Sequence, residues 1–140
     1  DYGSLPPLIV HAVGPNFNNF RNQEDAVKLL KSAYTKSLDI LYNFQKLDRN
    51  NNNNNNINVK MKVVGFSLLS AGVFRGRLAL ADVLFIAIET IRDWCHKMYH
   101  RHIDHGTGLV QLKEIHLCGF TEYECRVLNE VCLVLLETVQ

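Results

Sequence analysis

Strand-like apolar runs alternate with segments of helical period along this chain, and no other sequence feature restricts the fold as much. Leu8 to Val13 is apolar except for His11 and stops at Gly14-Pro15, where proline cannot donate to a ladder. A run of this kind fits a strand buried on both faces, as in a parallel sheet. Val63 to Leu69 and Glu114 to Phe120 read as a second and a third strand. Between and after them the period becomes three or four. Val27, Leu30, Tyr34, Leu38 and Leu41 share one helical face from Glu24 onward, with Lys28, Lys31, Lys36 and Asp39 largely opposite. Leu80, Leu84, Ala87, Ile91 and Cys95 form the stripe of a second helix. Cys125, Leu128, Cys132, Leu135 and Val139 predict the buried face of a third, Glu122 to Val139. The order β-α-β-α-β-α implies an α/β fold with parallel strands joined by right-handed helical crossovers.

With 140 residues, 47% of them hydrophobic and 21% charged, the chain has the composition of one ordinary globular domain. A net charge of +1 gives no electrostatic case for nucleic-acid or membrane partners, and no apolar run approaches the roughly 20 residues of a membrane span. Cys95, Cys118, Cys125 and Cys132 contain no Cys-x-x-Cys pair and are expected to be reduced core thiols. No basic N-terminal region followed by an apolar stretch suggests secretion, so an intracellular location, cytoplasmic or nuclear, is expected. Asn50 to Asn56 is an unbroken asparagine run, which predicts a disordered surface insertion over 48–58. The first residue is Asp1 rather than Met, and three strands are few for such a sheet. The expectation is a single domain over 1–140 lacking its N-terminal part.

Ligands of open α/β sheets bind at the carboxyl ends of the strands, which is where Ser70-Ala71-Gly72-Val73-Phe74-Arg75-Gly76 falls. Gly72 and Gly76 allow close backbone approach, and a helix expected from near Leu78 turns the positive end of its dipole toward the loop. A phosphate or diphosphate site fits this pattern, as does a strand-to-helix connection with no ligand. The loop lacks the Gly-Lys-Ser/Thr of a nucleoside-triphosphate loop.

Three strings carry a resemblance. Ile9-Val10-His11-Ala12-Val13-Gly14-Pro15, Leu29-Leu30-Lys31-Ser32-Ala33-Tyr34 with Ser37-Leu38, and Leu68-Leu69-Ser70-Ala71-Gly72-Val73-Phe74 stand in the order of the corresponding macro-domain motifs. The chain thus resembles the macro-domain family over nearly its whole length outside the asparagine run. That resemblance implies a three-layer α-β-α fold around a mixed, mainly parallel sheet, of which this chain supplies about three strands and three helices. It implies ADP-ribose, free or on mono-ADP-ribosylated protein, as the ligand, with no cofactor. By the same resemblance the backbone of Ser70, Ala71, Gly72, Val73 and Phe74 wraps the diphosphate, and the Phe74 ring lies near the distal ribose. Phe120 matches the ring packed against adenine, although a strand-end core phenylalanine has the same signature. Arg75 and Arg77 depart from the commonest loop; either could contact a phosphate or simply face solvent.

The family's acidic adenine-reading residue and its asparagine- and glycine-containing ribose loop have no match on this chain. Catalytic residues for an ADP-ribosyl hydrolase or ADP-ribose-phosphate phosphatase are therefore expected upstream, and a non-binding interaction module is the third reading. His96 and His100 have a spacing compatible with a metal, but with no third ligand at a recognised spacing they read as a polar helix end and no metal is assigned. His11 and His116 are expected to be hydrogen-bonded core histidines. No His/Asp arrangement surrounds Ser70, which argues against a serine nucleophile.

Overall fold

The computed structural model describes residues 9–50, 62–105 and 112–136, without the side chains of residues 44–50 and 102–105. It holds three helices, α1 (Gln23–Asn50), α2 (Leu80–His105) and α3 (Glu122–Leu136), and two strands, β1 (Val63–Ser67) and β2 (Glu114–Cys118). The class is α/β. β1 and β2 pair in parallel, in register from Val63 with Glu114 to Ser67 with Cys118, and α2 makes the crossover.

α1 and α3 start where side chains take up the first free N–H groups. Asn22 Oδ1 accepts from Glu24 N–H at 3.0 Å before α1, and Glu24 and Asp25 complement the dipole in its first turn. Thr121 and Glu124 form a reciprocal cap on α3: Glu124 N–H donates to Thr121 Oγ1 at 3.1 Å, and Thr121 N–H to Glu124 Oε2 at 2.9 Å.

α2 is the shared element. Val83, Ala87, Ile91, Trp94 and Met98 meet α1 and β1 in one cluster with Leu30, Tyr34, Leu38, Val64 and Phe66. Leu80, Leu84 and Ile88 meet Val127, Val131 and Leu135 of α3 in another. The single stripe expected from the sequence thus resolves into two, one for each neighbour. Side chains buried to this depth each contribute about 1.5–3 kcal/mol. Polar bonds stitch α1 to α2 as well: Trp94 Nε1 donates to Asp39 Oδ1 at 2.8 Å, and Lys31 Nζ pairs with Glu89 at 2.9 Å. Lys31 and Asp39 therefore border the helix contact and are partly covered by it.

Several expectations need correction. Residues 9–13 form no strand, and Ile9 and Val13 are 59% and 81% exposed. A strand exists only through pairing, and no described strand lies alongside this run, so two strands replace the expected three. The buried face of α3 is Val127–Val131–Leu135, with Leu128 and Cys132 at its margin. Cys125 lies two residues, about 200° of helical rotation, from Val127 and is exposed. Cys118 alternates onto the open face of β2 and is exposed too. Burial pushes the Cys95 and Cys132 thiols up; all four cysteines are free. His11 is exposed, as is His116, whose Nε2 lies 2.8 Å from Glu114 Oε2 on the same strand face. α1 continues through Asn50, so residues 48–50 are helical, while 51–58 of the expected insertion lie outside the described residues.

Candidate functional site

Ser70–Gly76 follows β1 at its carboxyl end and leads into α2 two residues later than expected, at Leu80. The loop is fastened at its start. Tyr34, fully buried on α1, accepts a hydrogen bond at its hydroxyl from Leu69 N–H at 3.0 Å, and its ring meets Phe66 at 5.5 Å. Burial pushes the Tyr34 hydroxyl up to about 12. Ser70 is buried with φ +57, a left-handed conformation unusual for a residue with a side chain. Its Oγ donates to the Pro15 carbonyl at 2.7 Å, which helps offset that strain and leaves the hydroxyl without a base to activate it.

The segment after the Gly14-Pro15 stop is the other half of this arrangement. A Cβ on Gly14 would collide with Ser70 Oγ and sit 2.9 Å from its backbone nitrogen, so only glycine passes there. Asn16 Oδ1 accepts from Asn18 N–H at 3.1 Å and starts a 3-10 turn, Phe17–Asn19. Asn18 Nδ2 then donates to the Val73 carbonyl at 3.3 Å. Gly76 closes the loop at φ +63, where an added Cβ would lie 3.1 Å from Asn18 Oδ1. Asn16 and Asn18 were not anticipated as braces; the Gly14-Pro15-Asn16 turn signal was the one sequence cue to them.

Between these fastenings the middle of the loop is open. A Cβ on Gly72 would meet nothing within 4 Å, Val73 is 86% exposed, and Phe74 is exposed. Ala71 and Arg75 N–H groups close turns onto Leu68 and Gly72 carbonyls. Those of Gly72, Val73 and Phe74 find no acceptor among the described residues.

Phe120 lies past the carboxyl end of β2 and is 98% exposed, which rules out the core reading of this ring. Its backbone is nevertheless pinned: Phe120 N–H donates to Glu124 Oε2 at 2.7 Å. Before it, a Cβ on Gly119 would lie 2.9 Å from Cys125 Sγ and 3.1 Å from Cys125 N. The Thr121 and Phe120 N–H groups hold the Glu124 carboxyl below its ordinary value, with smaller help from the Arg75 guanidinium. Arg75 and Glu124 are thus electrostatic neighbours across the two loops, and the loops after β1 and β2 adjoin. Arg75 is half-buried, whereas Arg77 is exposed.

Away from this region, an apolar groove of about 380 Å3 runs between α2, β2 and α3, lined by Ile88, Ile91, Leu112, Ile115 and Leu136. It shares no residue with the two loops. His96 and His100 are exposed on α2, and among the described residues no group of three His, Cys, Asp or Glu side chains could hold a metal. No described helix is long and apolar enough to cross a membrane. Compared with models of known protein families and with curated proteins, the chain matches none.

Proposed function

We propose that this chain binds ADP-ribose, free or attached to protein, as part of a macro-type three-layer α-β-α domain in a reducing intracellular compartment. The observation that carries the reading is the trio of N–H groups on Gly72, Val73 and Phe74, which have no acceptor among the described residues at the carboxyl end of a parallel strand. Backbone donors of this kind favour an anion with several oxygens. The bracing by Tyr34, Ser70 and Asn18 supports it further, because a loop already ordered loses little entropy on binding. Phe120 offers an exposed π-face for a base on the adjoining loop. A hydrolase reading gains no nucleophile from Ser70, whose hydroxyl is committed to Pro15, and would need catalytic residues other than the matched motifs.

Calorimetric titration tests this. ADP-ribose should bind at least about tenfold more tightly than AMP, which lacks the diphosphate. Gly72→Glu places a carboxylate in open space next to the free N–H groups, so affinity should be lost while the fold, checked by circular dichroism, is kept. Undiminished affinity in that folded variant removes the loop from the site.

A further inference from the structure

The apolar groove between α2, β2 and α3 lies apart from both loops and has a polarity of its own. α2 leaves the carboxyl end of β1, so Ile88 and Leu117 mark the end of the groove nearer the loops. Arg92, His96 and Lys113 mark the other end. From Ile88 to His96 the helix runs along it for about 12 Å. A volume of about 380 Å3 holds about a dozen heavy atoms, at roughly 30 Å3 for each water-sized group. Apolar walls with a few convergent polar groups are the general form of a small-molecule site.

The charge at the polar end is one-sided. Glu114 is the one acidic residue of the lining, and its carboxylate belongs to the opposite face of β2, where Oε2 lies 2.8 Å from His116 Nε2. Arg92 bonds one oxygen of Asp93 through Nε and Nη2, at 3.4 and 3.3 Å. That carboxylate is 62% exposed and outside the lining, and Arg92 Nη1 has no partner among the described residues. Lys113 and His96 make no ion pair among the described residues.

We infer that this groove is a second binding site, for a free straight-chain carboxylate of medium length. Its chain lies along Ile88, Ile115 and Leu117, and Arg92 and Lys113 hold its head group. The site is independent of the ADP-ribose reading, because the groove shares no residue with the two loops.

Calorimetric titration of the full chain with octanoate and with 1-octanol separates the head group from the chain. Octanoate should bind about three- to tenfold more tightly, which is what two cations at a wet rim supply. Combining Arg92→Gln with Lys113→Gln should abolish that preference and leave 1-octanol binding unchanged. Shortening the ligand to hexanoate should weaken binding about five- to fifteenfold, through two lost methylene contacts. Thiols report the location. Half-buried Cys95 and Cys132 line the groove, whereas exposed Cys118 and Cys125 do not. Saturating octanoate should therefore slow alkylation of the first pair by iodoacetamide, read by mass spectrometry, and leave the second pair unaffected. Equal binding of octanoate and 1-octanol overturns the inference, as does a preference that survives the double variant. Protection of all four cysteines alike, or of none, overturns it too. Protection of Cys95 and Cys132 that appears on raising the protein concentration without ligand assigns the groove to a second copy of the chain and also overturns it.

Discussion

β1 and β2 share one parallel register, yet their helix-facing residues are covered unequally. Val64 and Phe66 on β1 are buried against α1 and α2, while Ile115 and Leu117 on β2 are only half-buried. The α1 side has fully buried Leu30 and Tyr34 and the polar ties from Lys31, Asp39 and Tyr34. The α3 side has three buried residues one turn apart, and Leu133, Val134 and Leu136 on the same helix are exposed. Strand propensity does not separate these two regions. What separates them is whether a helix presents a second row of apolar residues behind the first. The candidate site straddles the boundary, with the Ser70–Gly76 loop on the thick side and the exposed Phe120 on the thin one.

The largest expected effect sets the two sides against each other directly. Leu30→Ala should cost about 2–5 kcal/mol in urea denaturation, whereas Val131→Ala removes less volume from a thinner layer and should cost about 1–2 kcal/mol. Equal losses would break the comparison.

An intermediate effect belongs to Tyr34. Its hydroxyl ionises near 12 in the folded chain against an ordinary 10, so the folded state holds the proton more tightly. The stability tied to it is complete below pH 10 and is lost as pH rises from 10 toward 12, by up to about 3 kcal/mol. Tyr34→Phe should flatten this alkaline slope and cost about 1–3 kcal/mol at neutral pH, because Leu69 N–H loses its acceptor. A slope unchanged in the variant would assign it to another group.

The smallest effect lies at the thin side's cap. Thr121→Ala should cost about 1 kcal/mol. The Glu124 carboxyl lies below its ordinary 4.5, so its contribution is present above that pH and disappears as pH falls through the lower folded value. Glu124→Gln should remove this acid component in melting experiments, and an unaltered acid limb would show that the cap contributes nothing.

Much of the thick side was legible in the sequence. Leu30, Tyr34 and Leu38 stood at helical spacing and are buried, and the β1–loop–α2 order and the parallel pairing were expected from the alternation. The errors share a cause. Periodicity assigns a residue to a face but does not say what lies opposite. Residues 9–13 have strand composition and no described partner strand, and Cys125 has helical spacing but lies on an exposed face of α3. At the site, glycine placement found the loop. It missed Asn16 and Asn18, whose role comes from tertiary proximity to residues far along the chain. The Thr121–Glu124 cap is written in the sequence as Thr-x-x-Glu just before an apolar helical stripe.

The bond from Ser70 to Pro15 and the bond from Asn18 to Val73 each join residues 55 positions apart. Helices form within about a microsecond, but contacts this distant must wait for a long loop to close, and they dominate the time a small domain takes to fold. The Ser70–Gly76 loop therefore acquires its shape late, after α1 has formed and brought Tyr34 to the end of β1. Slowing that meeting, by loosening the turn at Gly14-Pro15, would delay ligand competence more than it delays the rise of helical signal.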